Sequence, residues 1–189
     1  MDLSKILKKL EQARIDYWEK ADHFLSFRLK WRAQMVRHLF HILPGETILE
    51  LGSAAGQWSN EIVKITKCAN HISAATFDPG SYTVMKKKWA EKPIEPILLD
   101  SFPGKLKGRK FDFVIGWHLM TNDENNPLFF EVKKLLKPGG QILFFEPNPW
   151  NFYFNIRIFL LKLIPFLKGK NDFDFRPRNR IDLFTIISE

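Results

Sequence analysis

The sequence predicts an α/β fold: a parallel sheet of about five strands with helices packed on both faces. Three observations carry this expectation. Short apolar runs bounded by turn residues recur five times after residue 44. Stretches with helical spacing separate most of them, and parallel strands require such crossovers. The 189 residues, 45% hydrophobic, suffice for one domain with a sizeable core.

Taken in order, the first 43 residues read as two or more helices. Leu3, Ile6, Leu7 and Leu10 recur at helical spacing, and so do Trp31, Met35, Val36, Leu39 and Phe40, until Pro44-Gly45 ends the pattern. TILEL (47–51) is the first strand. SNEIVKITK (59–67) is a helix, with Ser59 or Asn60 as its cap. HISAATF (71–77) is the second strand, and SYTVMKKKWAEK (81–92) a helix that stops before Pro93. IEPILL (94–99) is the third strand, placed at a sheet edge by Pro96. FDFVIGW (111–117) is the fourth. NPLFFEVKKLLK (126–137) is an amphipathic helix stopped by Pro138-Gly139-Gly140, and QILFFE (141–146) is the fifth strand. One domain over 1–189 is expected, with helices in 1–43, a core in 44–150 and an apolar, basic segment in 151–189.

Composition narrows the function. The net charge of +8 favours an anionic partner: nucleic acid, an anionic lipid surface or an acidic substrate. The single cysteine, Cys68, excludes an intrachain disulfide and a multi-cysteine metal site, and fits a reducing compartment. No metal site is expected. The N-terminus lacks the continuous apolar core of a signal peptide, and no 18-residue uncharged apolar segment occurs. A cytoplasmic protein is expected.

Ligands of parallel sheets bind at the carboxyl ends of the strands, so the chemistry is sought there. ILELGSAAG (48–56) runs from the first strand through Gly52, Ser53, Ala54 and Gly56 into a helix. Gly52 can take a backbone conformation closed to other residues, and the helix start offers unpaired N–H groups. Two glycines alone also fit a purely steric strand–helix turn. Three carboxylates stand beside them: Glu50 at the end of the first strand, Asp78 after the second and Asp100 after the third. Carboxylates accept hydrogen bonds from hydroxyls and amines. A dinucleotide fingerprint would need G-x-G-x-x-G, and there is no G-x-x-x-x-G-K-[ST].

Four segments in order, ILELGSAAG, ISAATFDPGS, ILLDSFPG leading into KFDFVIGWHLM, and VKKLLKPGGQILFFEPN, resemble the class I S-adenosylmethionine-dependent methyltransferases. The likeness spans roughly 44–150. It implies a Rossmann-like sheet in the order 3-2-1-4-5 and S-adenosyl-L-methionine as cofactor. It further implies that Glu50 and the turn Gly52–Gly56 flank the methionine part, that Asp78 holds the ribose, and that Asp100, Ser101 and Phe102 frame the adenine. Gly116, Trp117 and His118 would line the cofactor from the fourth strand. The chain departs from the pattern at Ala54, where the family has a third glycine, in a longer gap between Gly56 and Asp78, and in the absence of the last two family strands.

Methyl transfer from a sulfonium needs alignment above all, since the cofactor carries the reactive group. His118 is the candidate base, its ordinary pKa suiting proton uptake near neutrality; the alternative is a loop histidine packed against the cofactor. Glu146 and Asn148 in EPNPWN either face the acceptor or belong to a rigid turn. NFYFNIRIFLLKLIPFLKGK (151–170) is apolar with only positive charges. It reads as a helix lying in a membrane interface, or as one covering the sheet edge or a homodimer contact. The basic clusters Lys86-Lys87-Lys88 and Lys105/Lys107/Arg109/Lys110 read as solvated faces, and no RNA-binding module is recognisable. The expected activity is methyl transfer to a small or lipid-linked acceptor. The alternatives are a truncated, non-catalytic interaction module and, third, an RNA methyltransferase.

Overall fold

The computed structural model describes residues 3–19, 23–117, 119, 128–146 and 156. Five parallel strands form one sheet: β1 (Thr47–Leu51), β2 (His71–Thr76), β3 (Ile94–Leu98), β4 (Phe111–Trp117) and β5 (Leu136–Phe145). Their order is β3-β2-β1-β4-β5, as the resemblance implies. Among the described residues five α-helices of a turn or more accompany them: α1 (Leu3–Glu19), α2 (His23–Phe40), α3 (Gln57–Ile65), α4 (Pro79–Lys88) and α5 (Leu128–Lys133). Pro96 lies on an edge strand, where its missing N–H costs no ladder bond.

Alternation along the strands divides the core. Ile48, Ile72, Phe113 and Ile115 pack with α2 and α3 through Ala33, Val36, Trp58 and Ile62. Leu49, Leu51, Phe77 and Val114 face the other way, against Leu128 and Val132 of α5 and against Leu3 and Leu7 of α1. Residues of successive parity thus serve opposite faces. The register sets Leu51 opposite Ala75 and Gly116, Thr76 opposite Leu98, and Trp117 opposite Phe145. The carboxyl ends of all five strands therefore share one edge.

The limits of three helices differ from expectation. α3 begins at Gln57 after Gly56 in the left-handed region, and neither Ser59 nor Asn60 caps it. The Ser59 hydroxyl instead donates to Glu50. α4 begins two residues early because Asp78 caps it and Pro79 takes the first turn, where a missing N–H costs nothing; it ends at Lys88 rather than 92. α5 ends at Lys133, not 137. Phe111 N–H donates to Leu135 C=O at 2.8 Å, and the chain joins β4 ahead of Pro138-Gly139-Gly140. Those three residues lie inside the irregular start of β5. A side chain at Gly140 would meet Asp112 C=O and Lys137 C=O at 3.0 Å, so glycine lets the strand pass.

Two polar clusters tie the strands together at the opposite end. Asp112 accepts from Thr47 N–H (2.7 Å), Thr47 Oγ1 (2.8 Å) and Lys137 Nζ (2.7 Å), joining β1, β4 and β5. Burial pushes its pKa up, but these bonds outweigh it and hold the carboxyl below its ordinary value. Arg109 grips Glu95 of β3 with both terminal nitrogens, at 3.0 and 2.5 Å, and donates to Ser73 of β2 at 2.9 Å. The Arg109 bond lowers the Glu95 pKa against the opposing cost of burial.

Candidate functional site

The candidate site is built on the carboxyl edge. After Leu51 the backbone turns through left-handed conformations at Gly52 (φ 64°), Ala54 (φ 47°) and Gly56 (φ 73°). Ala54 adopts the geometry that glycine favours, and its methyl is buried in the α2–α3 core. Ser53 N–H donates to Ala75 C=O at 2.9 Å, holding the turn against β2. Trp89 Nε1 donates to Ala55 C=O at 2.9 Å and closes the turn from the side of α4. Gly56 packs so tightly on Met85 and Trp89 that a Cβ would lie 3.0–3.2 Å from their atoms.

Glu50 is buried at the end of β1, its carboxylate accepting from Ser59. Asp78 is half-buried; its Oδ2 accepts from Ser81 N–H at 2.5 Å, which leaves it an additional capping role. Asp100 and Ser101 are exposed beyond β3, and Phe102 is half-buried. Gly116 lies under Leu119 and Phe144, whose atoms a Cβ would strike. Trp117 turns into the cluster beneath α2 and α3 rather than standing free at the edge. His118, Asn148 and the 151–170 segment, apart from the exposed Ile156, lie outside the described residues. Glu146 accepts from Leu119 N–H at 2.8 Å, so its carboxylate bridges the ends of β4 and β5.

Two groups at this edge escape sequence reasoning. The first is Glu11 of α1, 1% exposed. Its Oε1 accepts from Ala54 N–H at 2.8 Å and its Oε2 from Phe77 N–H at 2.5 Å. It therefore joins the glycine turn to the end of β2. Ser4, about two helical turns further back, accepts from Phe102 N–H at 3.0 Å. The available signal is that Glu11 follows Leu7 by four, on the apolar stripe. The second is Arg32 of α2, whose guanidinium carbon lies 3.3 Å from the centre of the Trp117 ring and 5.7 Å from that of Phe145. Trp58 adds an edge contact to Phe145 at 5.6 Å. This cation–aromatic corner closes the β4–β5 side.

The edge thus combines main-chain N–H donors, a left-handed turn and buried carboxylates beneath a helix. Among solved structures, the chain is similar to the CurJ carbon methyltransferase, with a TM-score of 0.58 at 16% identity over 85% of this chain and 46% of that one. The fold is that of the class I methyltransferases. The plantazolicin methyltransferase BpumL, in complex with SAH, gives 0.55 at 14% over 85% and 59%. Coclaurine N-methyltransferase, bound to N-methylheliamine and SAH, gives 0.50 at 16% over 59% and 34%. The chain spans between about a third and three fifths of these neighbours' lengths. No family model and no curated protein matches it.

Proposed function

We propose that this chain binds S-adenosylmethionine at the carboxyl edge and transfers its methyl group to a small or lipid-linked acceptor presented at an anionic surface. The supporting observation is the edge itself. The Ala54 and Phe77 N–H groups already hold one carboxylate, that of Glu11, so their chemistry suits an anionic or hydroxyl-bearing ligand. Buried Glu50 suits an ammonium group, and Asp78, with Asp100 and Ser101, offers acceptors to hydroxyls and amines. The residues present fit the cofactor's groups, provided that α1 yields. The cofactor would supply an activated methyl; the chain's part is to orient it and the acceptor. Isothermal calorimetry tests the reading: SAH should bind with an affinity in the micromolar range or tighter. No heat at high micromolar SAH, from the folded protein and from folded Glu11→Ala alike, removes it.

The membrane-proximal part of the proposal is supported by α2. Phe27 (67% exposed) and Trp31 (50% exposed) stand on its outer face, with Leu39 and Leu43 exposed further along. Arg28, Lys30 and Arg37 are exposed beside them, and α2 contains no acidic residue. Exposed aromatic side chains on a helix whose charged residues are all positive suit an anionic lipid interface. No helix among the described residues is long and apolar enough to cross a membrane. RNA is the competing anionic partner; binding to tRNA at low salt, without binding to anionic vesicles, would transfer the acceptor class to nucleic acid.

A further inference from the structure

We infer that α1 is a displaceable plug: it occupies the donors of the cofactor edge, and α1 and cofactor exclude each other. The inference rests on the cofactor reading above. Its foundation is the match between helix and sheet. Ser4 and Glu11 are seven residues apart, about 10 Å along a helix. The ends of β3 and β1 are two strand spacings apart, also about 10 Å. Ser4 accordingly meets the loop after β3 at Phe102, while Glu11 meets the turn after β1 and the end of β2. Between them Leu7 and Leu10 are buried, Leu7 in the same apolar cluster as Leu51, Phe77 and Leu99.

A buried carboxylate is costly unless its oxygens are satisfied. Here both oxygens take main-chain N–H donors of the edge on which sheet ligands bind. A cofactor reaching that edge must replace Glu11 at those donors. The apparent affinity is then reduced by the fraction of molecules with α1 seated, and the N-terminal helix regulates access.

Calorimetry with SAH on the full chain and on Glu11→Ala, together with hydrogen exchange of the amides of residues 5–15, decides the matter. Glu11→Ala should bind SAH at least tenfold more tightly, and saturating SAH should accelerate exchange across α1 in the unmodified protein. Ser4→Ala, a milder change at the other end, should give a smaller gain and keeps the test open if Glu11→Ala does not fold. SAH binding that is unchanged or weakened in the variants, or α1 amides that SAH protects, overturns the plug and leaves the cofactor reading standing. Absence of SAH binding in all three folded proteins overturns both.

Discussion

Gly56→Ala probes the turn on which the site depends. Two costs can be worked from the structure. The backbone there has φ 73°, and an alanine held in the left-handed region costs about 1–2 kcal/mol. The added methyl would lie 3.0 Å from Met85 Sδ, 3.1 Å from Met85 Cγ and 3.2 Å from Trp89 Cδ1, an overpacking of a kind that costs about 1–3 kcal/mol. Reduced freedom of the unfolded chain returns about 0.4–1 kcal/mol. The net loss is about 3 kcal/mol, equivalent to roughly 6–12 °C in Tm for a domain of this size. A double-mutant cycle with Met85→Ala separates the two costs. In that background the two shorter contacts are gone and only Trp89 Cδ1 at 3.2 Å remains, so the penalty of Gly56→Ala should fall to about 1–2 kcal/mol, most of it set by the backbone. Urea unfolding of the four proteins provides the numbers. A penalty below about 1 kcal/mol, or one that Met85→Ala leaves unchanged, would refute the reasoning.

Ala54→Gly should be nearly neutral, within about 1 kcal/mol by urea unfolding, because relief of the left-handed backbone is offset by a freer unfolded chain and a lost buried methyl. Glu95 has a lowered pKa in the folded protein, so its contribution is complete above the ordinary value of 4.5 and is lost as pH falls through the folded value. The difference in Tm between the parent and Glu95→Gln should therefore shrink below pH 4.5; a constant difference would exclude the Arg109 pair as its source. Phe27→Ser with Trp31→Ser should abolish flotation with anionic vesicles while leaving Tm within a few degrees, since both side chains are exposed. Retained flotation would remove α2 from the interface.

The sheet was legible because most of its strands are short apolar runs whose neighbours are turn residues; TILEL and FDFVIGW are strands over the residues expected, whereas β5 begins five residues before QILFFE. Helix limits were less so, for a physical reason. Ser59 and Asn60 have the local chemistry of caps, but Glu50, nine positions away, takes the Ser59 hydroxyl, and Gly56 starts the helix. The last turn expected of α5 was lost to the sheet, whose ladder begins at Leu136. The glycine turn could be read from its residues, while Glu11 could not. A glutamate in a lysine-rich helix reads as a solvated residue, and its burial depends on donors 43 and 66 positions along the chain.

Ala54 and Glu11 are two sides of one arrangement. A left-handed residue in a strand–helix turn is outside the regular hydrogen-bond pattern of both elements, so its N–H must find a partner elsewhere. At Ala54 that partner is Glu11, at 2.8 Å. The donor that would suit the proposed ligand is the same one that draws α1 onto the turn. Because Ala54 N–H offers one hydrogen, an acceptor group from the proposed ligand would compete for it directly with the Glu11 carboxylate. Glycine at position 54 would keep that donor while relieving the strain and removing the buried methyl behind it. On the proposed reading, affinity at this edge would be governed more by Glu11 than by the methyl group of Ala54.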